Sequence, residues 1–246
     1  MKVILLAGGK SKRVKPIEDK CFVRICGKML IQWQLEALKS VGFTEIVIVA
    51  NALNVERLRQ LQLATVVVQE DHDGMIWGMM AARPEVFQED GILVVSSNDV
   101  VEDVLWKEAY QKLQKKQDDG FLVGYKVQRY FPGGYLKCGN DGSVNSIVEK
   151  PGEGNEPSDL VNLVIHFHRN VKDLYRALEE VETGHDDSYE RALQRLFDEG
   201  KKYTVLPYDG FWQAVKYPWH FLRLTEFFLK AQKRSIAQEA RIAGSA

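Results

Sequence analysis

The residues best suited to chemistry lie in a glycine- and lysine-rich segment near the N-terminus. Gly8 and Gly9 follow an apolar run over residues 3–7. Glycines let a backbone approach a ligand closely and direct its N–H groups at an anion. Five basic side chains occupy the segment against two acidic ones: Lys10, Lys12, Arg13, Lys15 and Lys20, with Glu18 and Asp19. This composition is typical of a site for polyanionic phosphate, and equally of a solvated basic loop.

Two common phosphate-binding patterns do not fit this segment. Gly9-Lys10-Ser11 matches the end of the P-loop motif, but that motif needs a glycine five residues before Gly9, where the chain has Ile4. The G-x-G-x-x-G pattern of dinucleotide sites does not fit either. The sequence therefore disfavours a P-loop kinase or NTPase and a dinucleotide-binding enzyme.

Composition narrows the class of protein further. The 246 residues are 45% hydrophobic and 27% charged, as in globular proteins, and a net charge of −1 disfavours a nucleic-acid binder. Three cysteines in a chain of this length do not suggest a disulfide framework, so we expect a cytoplasmic protein. No run approaches the roughly 18 apolar residues of a membrane span, so we expect no membrane partner.

Hydrophobic periodicity predicts an α/β fold. In the first half, strand-like and helix-like segments alternate, which favours a parallel sheet covered by helices on both faces. Strands are predicted at residues 2–6, 21–25, 45–49, 65–69 and 92–96, and helices at 30–41, 54–61, 74–82 and 103–115. The second half is richer in strands, at 121–127, 134–138, 143–149, 160–167 and 203–206, with helices at 171–181, 189–197 and 218–230. Asp187 and Glu190 resemble a capping box at the second of those helices.

Several short motifs occur in a fixed order along the chain. The first comprises Leu6-Ala7-Gly8-Gly9, Arg13, Pro16, Lys20 and Gly27-Lys28. It is followed by Gly74, Asn98-Asp99, Gly134-Tyr135, Val148-Glu149-Lys150-Pro151, Leu160-Val161-Asn162, Phe211-Trp212 and Tyr217-Pro218-Trp219. Together they resemble the sugar-1-phosphate nucleotidylyltransferases, especially archaeal-type members, over residues 1 to about 230.

This resemblance implies a fold, substrates and a cofactor. The implied fold is a Rossmann-like nucleotidyltransferase fold, with a mixed, mainly parallel central sheet and a β-rich part that binds sugar. The implied substrates are a nucleoside triphosphate and a sugar 1-phosphate, with Mg²⁺ as cofactor. We expect UTP or dTTP, with glucose or N-acetylglucosamine 1-phosphate.

The resemblance also implies individual roles. Arg13 would grip the β- and γ-phosphates, Lys20 would lie at the α-phosphate, and Lys150 would bind the phosphate of the incoming sugar. Asp99 is the expected Mg²⁺ ligand, since that ion is commonly held by one or two carboxylates and substrate phosphates. The nucleotide is expected at Ala7, Gly8, Gly9, Lys12, Gly74 and Asn98, and the sugar at Gly134, Glu149, Asn162 and Trp212.

The chain departs from the family pattern at several positions. Ser11-Lys12 replaces Gly-Thr, and Asp19 replaces a proline. Ala214 falls where a second metal-binding aspartate is expected, and Lys216 replaces a glycine. A neighbouring acid could substitute, Asp99 and phosphates could hold the ion alone, Lys216 could supply the missing charge, or catalysis could be impaired.

These departures keep two other functions open. One is a non-catalytic relative that binds a nucleotide sugar and regulates a partner; the other is a glycosyltransferase that uses a nucleotide sugar. The D-x-D of many glycosyltransferases is not matched, because Asn98-Asp99 is followed by Val100-Val101. Only nucleotidylyl transfer releases pyrophosphate from an NTP and a sugar phosphate.

Two further features stand outside the motifs. His166 and His168 share a strand face, which suits a metal pair, but no third ligand is suggested and core packing is favoured. In the tail, Ile236 and Ile242 lie six residues apart, each before an alanine. That spacing fits the opening of the left-handed β-helix of bifunctional relatives, and equally a frayed end.

We therefore expect a catalytic domain over residues 1–234 and a tail over residues 235–246. On its own, the catalytic domain is expected to be a monomer or a weak homo-oligomer. Trimer-based assembly is expected only if a β-helix follows.

Overall fold

The structure is a computed structural model that describes residues 1–70, 73–115, 117–182 and 187–231. The predicted tail lies outside these residues. Within them, no helix combines the length and apolar character that crossing a bilayer requires.

Strands and helices alternate through the described ranges. The strands are β1 (Lys2–Leu6), β2 (Arg24–Ile25), β3 (Lys28–Met29), β4 (Ile46–Ala50), β5 (Thr65–Val68), β6 (Ile92–Ser96), β7 (Asp99–Val101), β8 (Gly120–Lys126), β9 (Gly134–Cys138), β10 (Val144–Glu149), β11 (Leu160–His168), β12 (Tyr203–Tyr208) and β13 (Trp212–Ala214). The helices are α1 (Leu30–Ser40), α2 (Val55–Gln60), α3 (Met75–Val86), α4 (Asp103–Gln114), α5 (Val171–Glu179), α6 (Ser188–Asp198) and α7 (His220–Ala231).

A mixed nine-stranded sheet forms the centre of the molecule. Its order is β5-β4-β1-β6-β11-β8-β12, and the β9-β10 hairpin joins beside the N-terminal half of β11. β5, β4, β1 and β6 run parallel, whereas β11 is antiparallel to both β6 and β8. The predicted α/β class, with parallel strands in the first half and a β-rich second half, is confirmed.

The central strands are buried on both faces, which explains their unbroken apolar runs. In β1, Val3 and Leu5 lie in one core cluster with Leu35 and Leu38 of α1. Ile4, between them, lies in a second cluster with residues of α3, α5 and α6. Because successive side chains of a strand point to opposite faces, one short run serves both layers.

The strand order creates a crevice at one edge of the sheet. β1 has parallel neighbours on both sides, β4 and β6, so the connections after β1 and β6 lead to opposite sides of the sheet. Ligands of open α/β sheets bind at such a switch point, beyond the carboxyl ends of the strands. The glycine-rich loop follows β1, and Asn98-Asp99 follows β6, so both reach this crevice.

The structure corrects several predicted elements. Residues 21–25 were expected to form one strand, but Lys20–Phe22 is a 3-10 turn and only Arg24–Ile25 pairs as a strand. The helix expected at 74–82 continues to Val86, with Pro84 in its last turn. The expected capping box does not form, since Asp187 makes no side-chain cap and its Oδ2 instead accepts from Nε of Arg191 at 3.0 Å.

A second antiparallel ribbon was not predicted at all. β7 and β13 pair through Trp212 with Val101, Gln213 with Val100, and Ala214 with Asp99. The ribbon joins the segment that follows β6 to the C-terminal part of the chain. It therefore brings residues more than a hundred positions apart to the crevice.

Candidate active site

The loop after β1 passes close to a side chain that follows β5. A β-carbon added to Gly8 would lie 2.7 Å from Oε1 of Gln69, so a larger residue at position 8 would have to displace that side-chain amide. The corresponding position on Gly9 is 3.9 Å from Nζ of Lys20. Ser11 has a φ of 52°, in the left-handed region that favours glycine, and this agrees with its alignment to a family glycine. The glycine loop and Lys20 therefore form one surface.

Two buried asparagines after β4 hold this loop in place. Nδ2 of Asn51 donates to the carbonyls of Gly8 at 3.2 Å and Gly9 at 3.4 Å. Nδ2 of Asn54 donates to the carbonyl of Ala7 at 3.0 Å and to Oδ2 of Asp19 at 2.7 Å. Asn54 is only 1% exposed. The sequence reasoning missed both residues; polar side chains directly after a fully buried strand were the available signal.

Asp19, a departure from the family pattern, positions the lysine that follows it. Its Oδ1 accepts from the backbone N of Cys21 at 2.8 Å and caps the 3-10 turn that begins at Lys20. Its Oδ2 is held by Asn54. The carboxylate therefore ties the turn carrying Lys20 to the same asparagine that holds the glycine loop.

Lys20 carries its charge in a partly enclosed position. Burial lowers the pKa of its ammonium group, as does the nearby Arg13, whereas Asp19 and Asp99 oppose that shift. Cations that lose part of their hydration interact more strongly with an incoming anion. The arrangement suits Lys20 to bind a phosphate group.

Asp99 lies opposite this loop, at the start of β7. Its Oδ1 accepts from Nε1 of Trp212 at 2.8 Å. Burial raises the pKa of Asp99, and the Trp212 hydrogen bond together with Lys216 and Lys20 opposes the rise. The Trp212 ring is only 9% exposed and lies against Tyr125 and Phe131. Trp212 thus orients Asp99, and its predicted contact with a sugar stays a prediction.

Ala214 occupies the position directly across the ribbon from Asp99. Directly paired residues have β-carbons about 5 Å apart on the same face, so an acid at 214 would stand beside Asp99. The register supports the alignment that places a second metal-binding aspartate here. The methyl group of Ala214 provides no ligand.

The divalent cation implied by the resemblance fits this corner through oxygen ligands. Asp99 supplies a carboxylate, and Oδ1 of Asn98 is buried without a hydrogen-bond partner among the described residues. No group of three or more His, Cys, Asp or Glu side chains in the described ranges could hold a metal ion. The donor set fits an ion whose remaining ligands are substrate phosphates, as is usual for Mg²⁺.

Lys216 places an additional positive charge between the two halves of the site. Burial lowers its pKa; Asp99 and Glu149 oppose the shift, while Arg13 and Lys150 reinforce it. Its Nζ lies 4.3 Å from the centre of the Phe131 ring. Of the options for the missing acid, a compensating cation at Lys216 is therefore available in the structure.

Three of the four residues predicted to contact the sugar, Gly134, Glu149 and Asn162, meet at one end of the β9-β10 hairpin. Glu149 pairs with Gly134 across the hairpin. A β-carbon on Gly134 would lie 3.0 Å from Oε2 of Glu149 and 3.7 Å from Cβ of Asn162. Nζ of Lys150 lies 3.4 Å from Oε1 of Glu149, and Lys150 has a left-handed φ of 47°. Four residues from three strands and a turn thus form one cluster.

Glu190 of α6 is an acid near this cluster that the sequence reasoning did not assign to the site. Burial, with repulsion from Glu149 and Asp187, raises the pKa of Glu190 from 4.5 to about 7, and Lys150 moderates the rise. Close to neutral pH, Glu190 is therefore partly protonated.

The remaining predicted residues lie around the mouth of the crevice. Gly74 precedes α3 with a φ of 118°, and its carbonyl accepts from Nε2 of Gln69 at 3.1 Å. Lys12 is exposed and lies 3.7 Å from a carboxylate oxygen of Asp73, which also pairs with Lys10 at 3.0 Å. Both cations face solvent at the edge of the loop.

Comparison with known proteins places this geometry in context. Residues 3–239 match the family model described as MobA-like NTP transferase domain. The bifunctional sugar-1-phosphate nucleotidylyltransferase/acetyltransferase of Sulfurisphaera tokodaii is 26% identical over 239 residues, covering 93% of this chain and 56% of its own length. The mannose-1-phosphate guanyltransferase of Saccharomyces cerevisiae is 26% identical over 266 residues, covering 100% of this chain and 71% of its own.

The crystal structure of apo UDP-glucose pyrophosphorylase has a TM-score of 0.78 and 17% identity. The match covers 94% of this chain and 99% of that one, and at this identity it establishes the fold alone. The chain spans little more than half the length of the bifunctional relatives that it matches.

The asparagine anchor predicts a specific effect of Asn54→Ala. The change removes the donors to the Ala7 carbonyl and Asp19, so the free energy of unfolding should fall by about 1–3 kcal/mol. Amide hydrogen exchange over residues 7–21 should also accelerate. The control is Asn170→Ala, which removes the cap of α5 and should destabilise by about 1 kcal/mol without changing exchange in that loop. Unchanged exchange over residues 7–21 in Asn54→Ala would contradict the anchor.

The raised pKa of Glu190 predicts a pH-dependent stability. The folded state holds a proton that the unfolded chain loses near pH 4.5, so this contribution declines as pH rises towards about 7 and then levels off. Glu190→Gln should lack the decline, which for this shift amounts to roughly 3 kcal/mol. Urea unfolding of both proteins between pH 5 and 8 measures the difference, and parallel pH profiles would contradict the shift.

Proposed function

This chain belongs to the MobA-like NTP transferase domain family, and from that premise we propose that it is a sugar-1-phosphate nucleotidylyltransferase. It would convert an NTP and a hexose 1-phosphate into a nucleotide sugar and pyrophosphate. The proposal agrees with the function that the sequence motifs imply and with the activity named for the archaeal relative.

One observation carries the proposal. Lys216 lies close enough to four charged residues for them to shift its pKa. They are Arg13 of the glycine loop, Asp99 of the ribbon, and Glu149 and Lys150 at the end of the hairpin. These groups come from separate elements and converge on the crevice. A site with cations on both sides and a carboxylate between them suits the meeting of two phosphate-bearing substrates.

The leaving-group side would be the glycine loop. Arg13 would bind the β- and γ-phosphates, where a planar guanidinium suits bidentate contact with oxygens. Lys20 would contact the α-phosphate and stabilise the charge that develops on it. The N–H groups around Gly8 and Gly9 would bind phosphate oxygens, with Ala7, Lys12, Gly74 and Asn98 completing the nucleotide site.

The acceptor side would be the hairpin cluster. Lys150 would hold the phosphate of the sugar phosphate, and Glu149, Gly134, Asn162 and Trp212 would surround the sugar. A phosphate oxygen of the sugar phosphate attacks the α-phosphorus in line, and the bond from that phosphorus to the β-phosphate oxygen breaks. Pyrophosphate leaves with the bonding electrons. Such transfer depends on positioning and charge neutralisation more than on a protein nucleophile.

A Mg²⁺ ion at Asp99, with Asn98 Oδ1 close by, would neutralise charge on the phosphates when bound. Without an acid at position 214, the protein contributes a single carboxylate. Lys216 would then supply positive charge where other members have a second metal ligand.

For the substrates, we propose UTP or dTTP with glucose or N-acetylglucosamine 1-phosphate. The two pyrimidines differ by one methyl group, and a pocket discriminates a methyl by only about 1–3 kcal/mol. The guanyltransferase relative makes GTP with mannose 1-phosphate the first competing pair. Assays with four NTPs against glucose, N-acetylglucosamine and mannose 1-phosphates would identify the pair. We propose that the reaction takes place in the cytoplasm.

A non-catalytic nucleotide-sugar binder is the second candidate, because Ala214 cannot ligate a metal. Release of pyrophosphate distinguishes the two candidates. Binding of a nucleotide sugar, with no pyrophosphate from any substrate pair, would overturn the proposed enzyme and support the binder.

Removal of the Lys20 ammonium should slow the chemical step. Loss of one preorganised donor to a developing charge costs about 10²–10³ in rate, so Lys20→Ala should lower kcat by at least that factor with an unchanged circular dichroism spectrum. Lys15→Ala, which removes an exposed cation from the same loop, is the matched control and should keep near-normal turnover. Near-normal turnover in Lys20→Ala would refute the role of Lys20.

The metal corner predicts a gain from Ala214→Asp. A second carboxylate beside Asp99 should lower the Mg²⁺ concentration for half-maximal activity several-fold, whereas Asp99→Asn and excess EDTA should abolish activity. Gln213→Glu is the control, because it adds a carboxylate to the opposite face of the ribbon, beside Arg223. An equal gain from both acids, or full activity in EDTA, would argue against this site.

A further inference from the structure

A continuous chain of buried hydrogen bonds leads from the proposed sugar site into the core. Its members are Asn162, His166, Tyr189, His168 and Tyr203. Nε2 of His166 lies 2.9 Å from Oδ1 of Asn162, and Nδ1 of the same ring lies 3.1 Å from the Tyr189 hydroxyl. His168 continues the chain, with Nε2 3.0 Å from Tyr189 and Nδ1 2.9 Å from the Tyr203 hydroxyl.

An irregularity in β11 makes the first link possible. Four residues of a regular strand span roughly 13 Å, too far for Asn162 to reach His166. The pairing of β11 with β8 is regular up to Leu163 and resumes only at His166, opposite the next residue of β8. This bulge shortens β11 and brings the two side chains into contact.

Burial keeps both imidazole rings neutral. His166 and His168 have no exposed surface. Burial lowers the pKa of His166 to about 3, against a smaller opposite effect of the Leu163 carbonyl. The pKa of His168 lies well below its usual value for the same reason, reinforced by His166. The raised pKa of the buried Tyr189 keeps its hydroxyl protonated.

Neutral rings, together with the Asn162 oxygen facing Nε2 of His166, fix the direction of every hydrogen bond in the chain. A neutral imidazole has one N–H donor and one acceptor nitrogen. Since Oδ1 of Asn162 only accepts, His166 must donate from Nε2 and accept at Nδ1 from Tyr189. Tyr189 then accepts from Nε2 of His168, whose Nδ1 accepts from Tyr203. In this arrangement each nitrogen of both imidazole rings has a partner, and the Asn162 NH₂ group takes no part in the chain.

Asn162 is the end of the chain that reaches the site. Among the described residues, the hydrogen bond to His166 is the one that the Asn162 side chain makes. Its oxygen is committed to the core, so its NH₂ group is the part left for a ligand. Glu149, an acceptor, lies across the Gly134 position from Asn162.

We infer that His166 is a positioning residue that presents Asn162 to the sugar as a hydrogen-bond donor and so helps determine which sugar is accepted. This inference rests on the proposed function. The ligand group at Asn162 would be a hydroxyl oxygen that accepts, beside a hydroxyl that donates to Glu149. A site built in this way rejects sugars that lack the hydroxyl, because buried polar groups would be left unpaired.

His166→Phe tests the inference, since it keeps the ring and removes the donor. The dissociation constant of glucose 1-phosphate, or of the sugar phosphate identified by the substrate panel, should rise about tenfold by calorimetry. The dissociation constant of the NTP should stay unchanged. Loss of one hydroxyl in monodeoxy analogues should weaken binding to the wild type and have little effect on binding to His166→Phe.

Two variants separate positioning from general stability. His166→Gln retains a donor near the Nε2 position and should restore most of the affinity. Tyr203→Phe disturbs the far end of the chain and leaves the His166 link intact, so it should lower stability without weakening sugar binding. If Tyr203→Phe weakened sugar binding as much as His166→Phe, or if His166→Phe weakened NTP binding equally, the inference would be overturned.

Nitrogen-15 NMR of the histidines gives a readout that needs no substrate. Both rings should carry their proton on Nε2 and should not titrate between pH 5 and 9. A proton on Nδ1 of His166 would overturn the inference, because Asn162 would then present its oxygen to the site. The result does not depend on pyrophosphate release, so failure of the proposed reaction and failure of the positioning role remain distinguishable.

Discussion

The hydrogen bonds of Asn54 fix the position of the glycine loop relative to Lys20. One NH₂ group binds the backbone of the loop at Ala7 and the carboxylate of Asp19, which caps the turn of Lys20. Buried amides are held firmly, because an unpaired one costs the full desolvation of the group. The position of the Lys20 ammonium near Gly9 therefore follows from packing beneath the loop and does not require a bound ligand.

The lysines assembled above that anchor are partly desolvated before any ligand binds. Arg13, Lys20, Lys150 and Lys216 lie near the carboxylates of Asp99 and Glu149. The lowered pKa values of Lys20 and Lys216 show that partial burial already destabilises their charged forms. An anionic ligand would relieve that cost. The geometry thus stores electrostatic free energy that an anionic ligand would release.

The local sequence was sufficient to predict the central strands. The elements that were not predicted depend on pairing between distant parts of the chain. β1 and β6 have the bounds predicted for them, because an apolar run buried on both faces has few alternatives. The ribbon of β7 and β13 was missed, because two three-residue strands become extended only by pairing with each other. The bulge in β11 was missed for the same reason, since it appears only in the register with β8. The charged and glycine positions of the motifs could be found by resemblance, whereas Asn51, Asn54 and Glu190 act through neighbours distant in the chain.

Gln69 links the glycine loop to the start of α3 and fixes the distance between them. Its backbone N donates to Ala50, its Nε2 holds the carbonyl of Gly74, and its Oε1 fills the space beside both Gly8 and Gly78. A methyl group at either glycine would push on the same amide, 2.7 Å away at Gly8 and 3.1 Å away at Gly78. The Gln69 side chain thus acts as a spacer between the glycine loop and α3. It would set the width of the gap between them that a nucleotide would enter. Changes at residues 8 and 78 should therefore couple, although one lies in a loop and the other inside a helix.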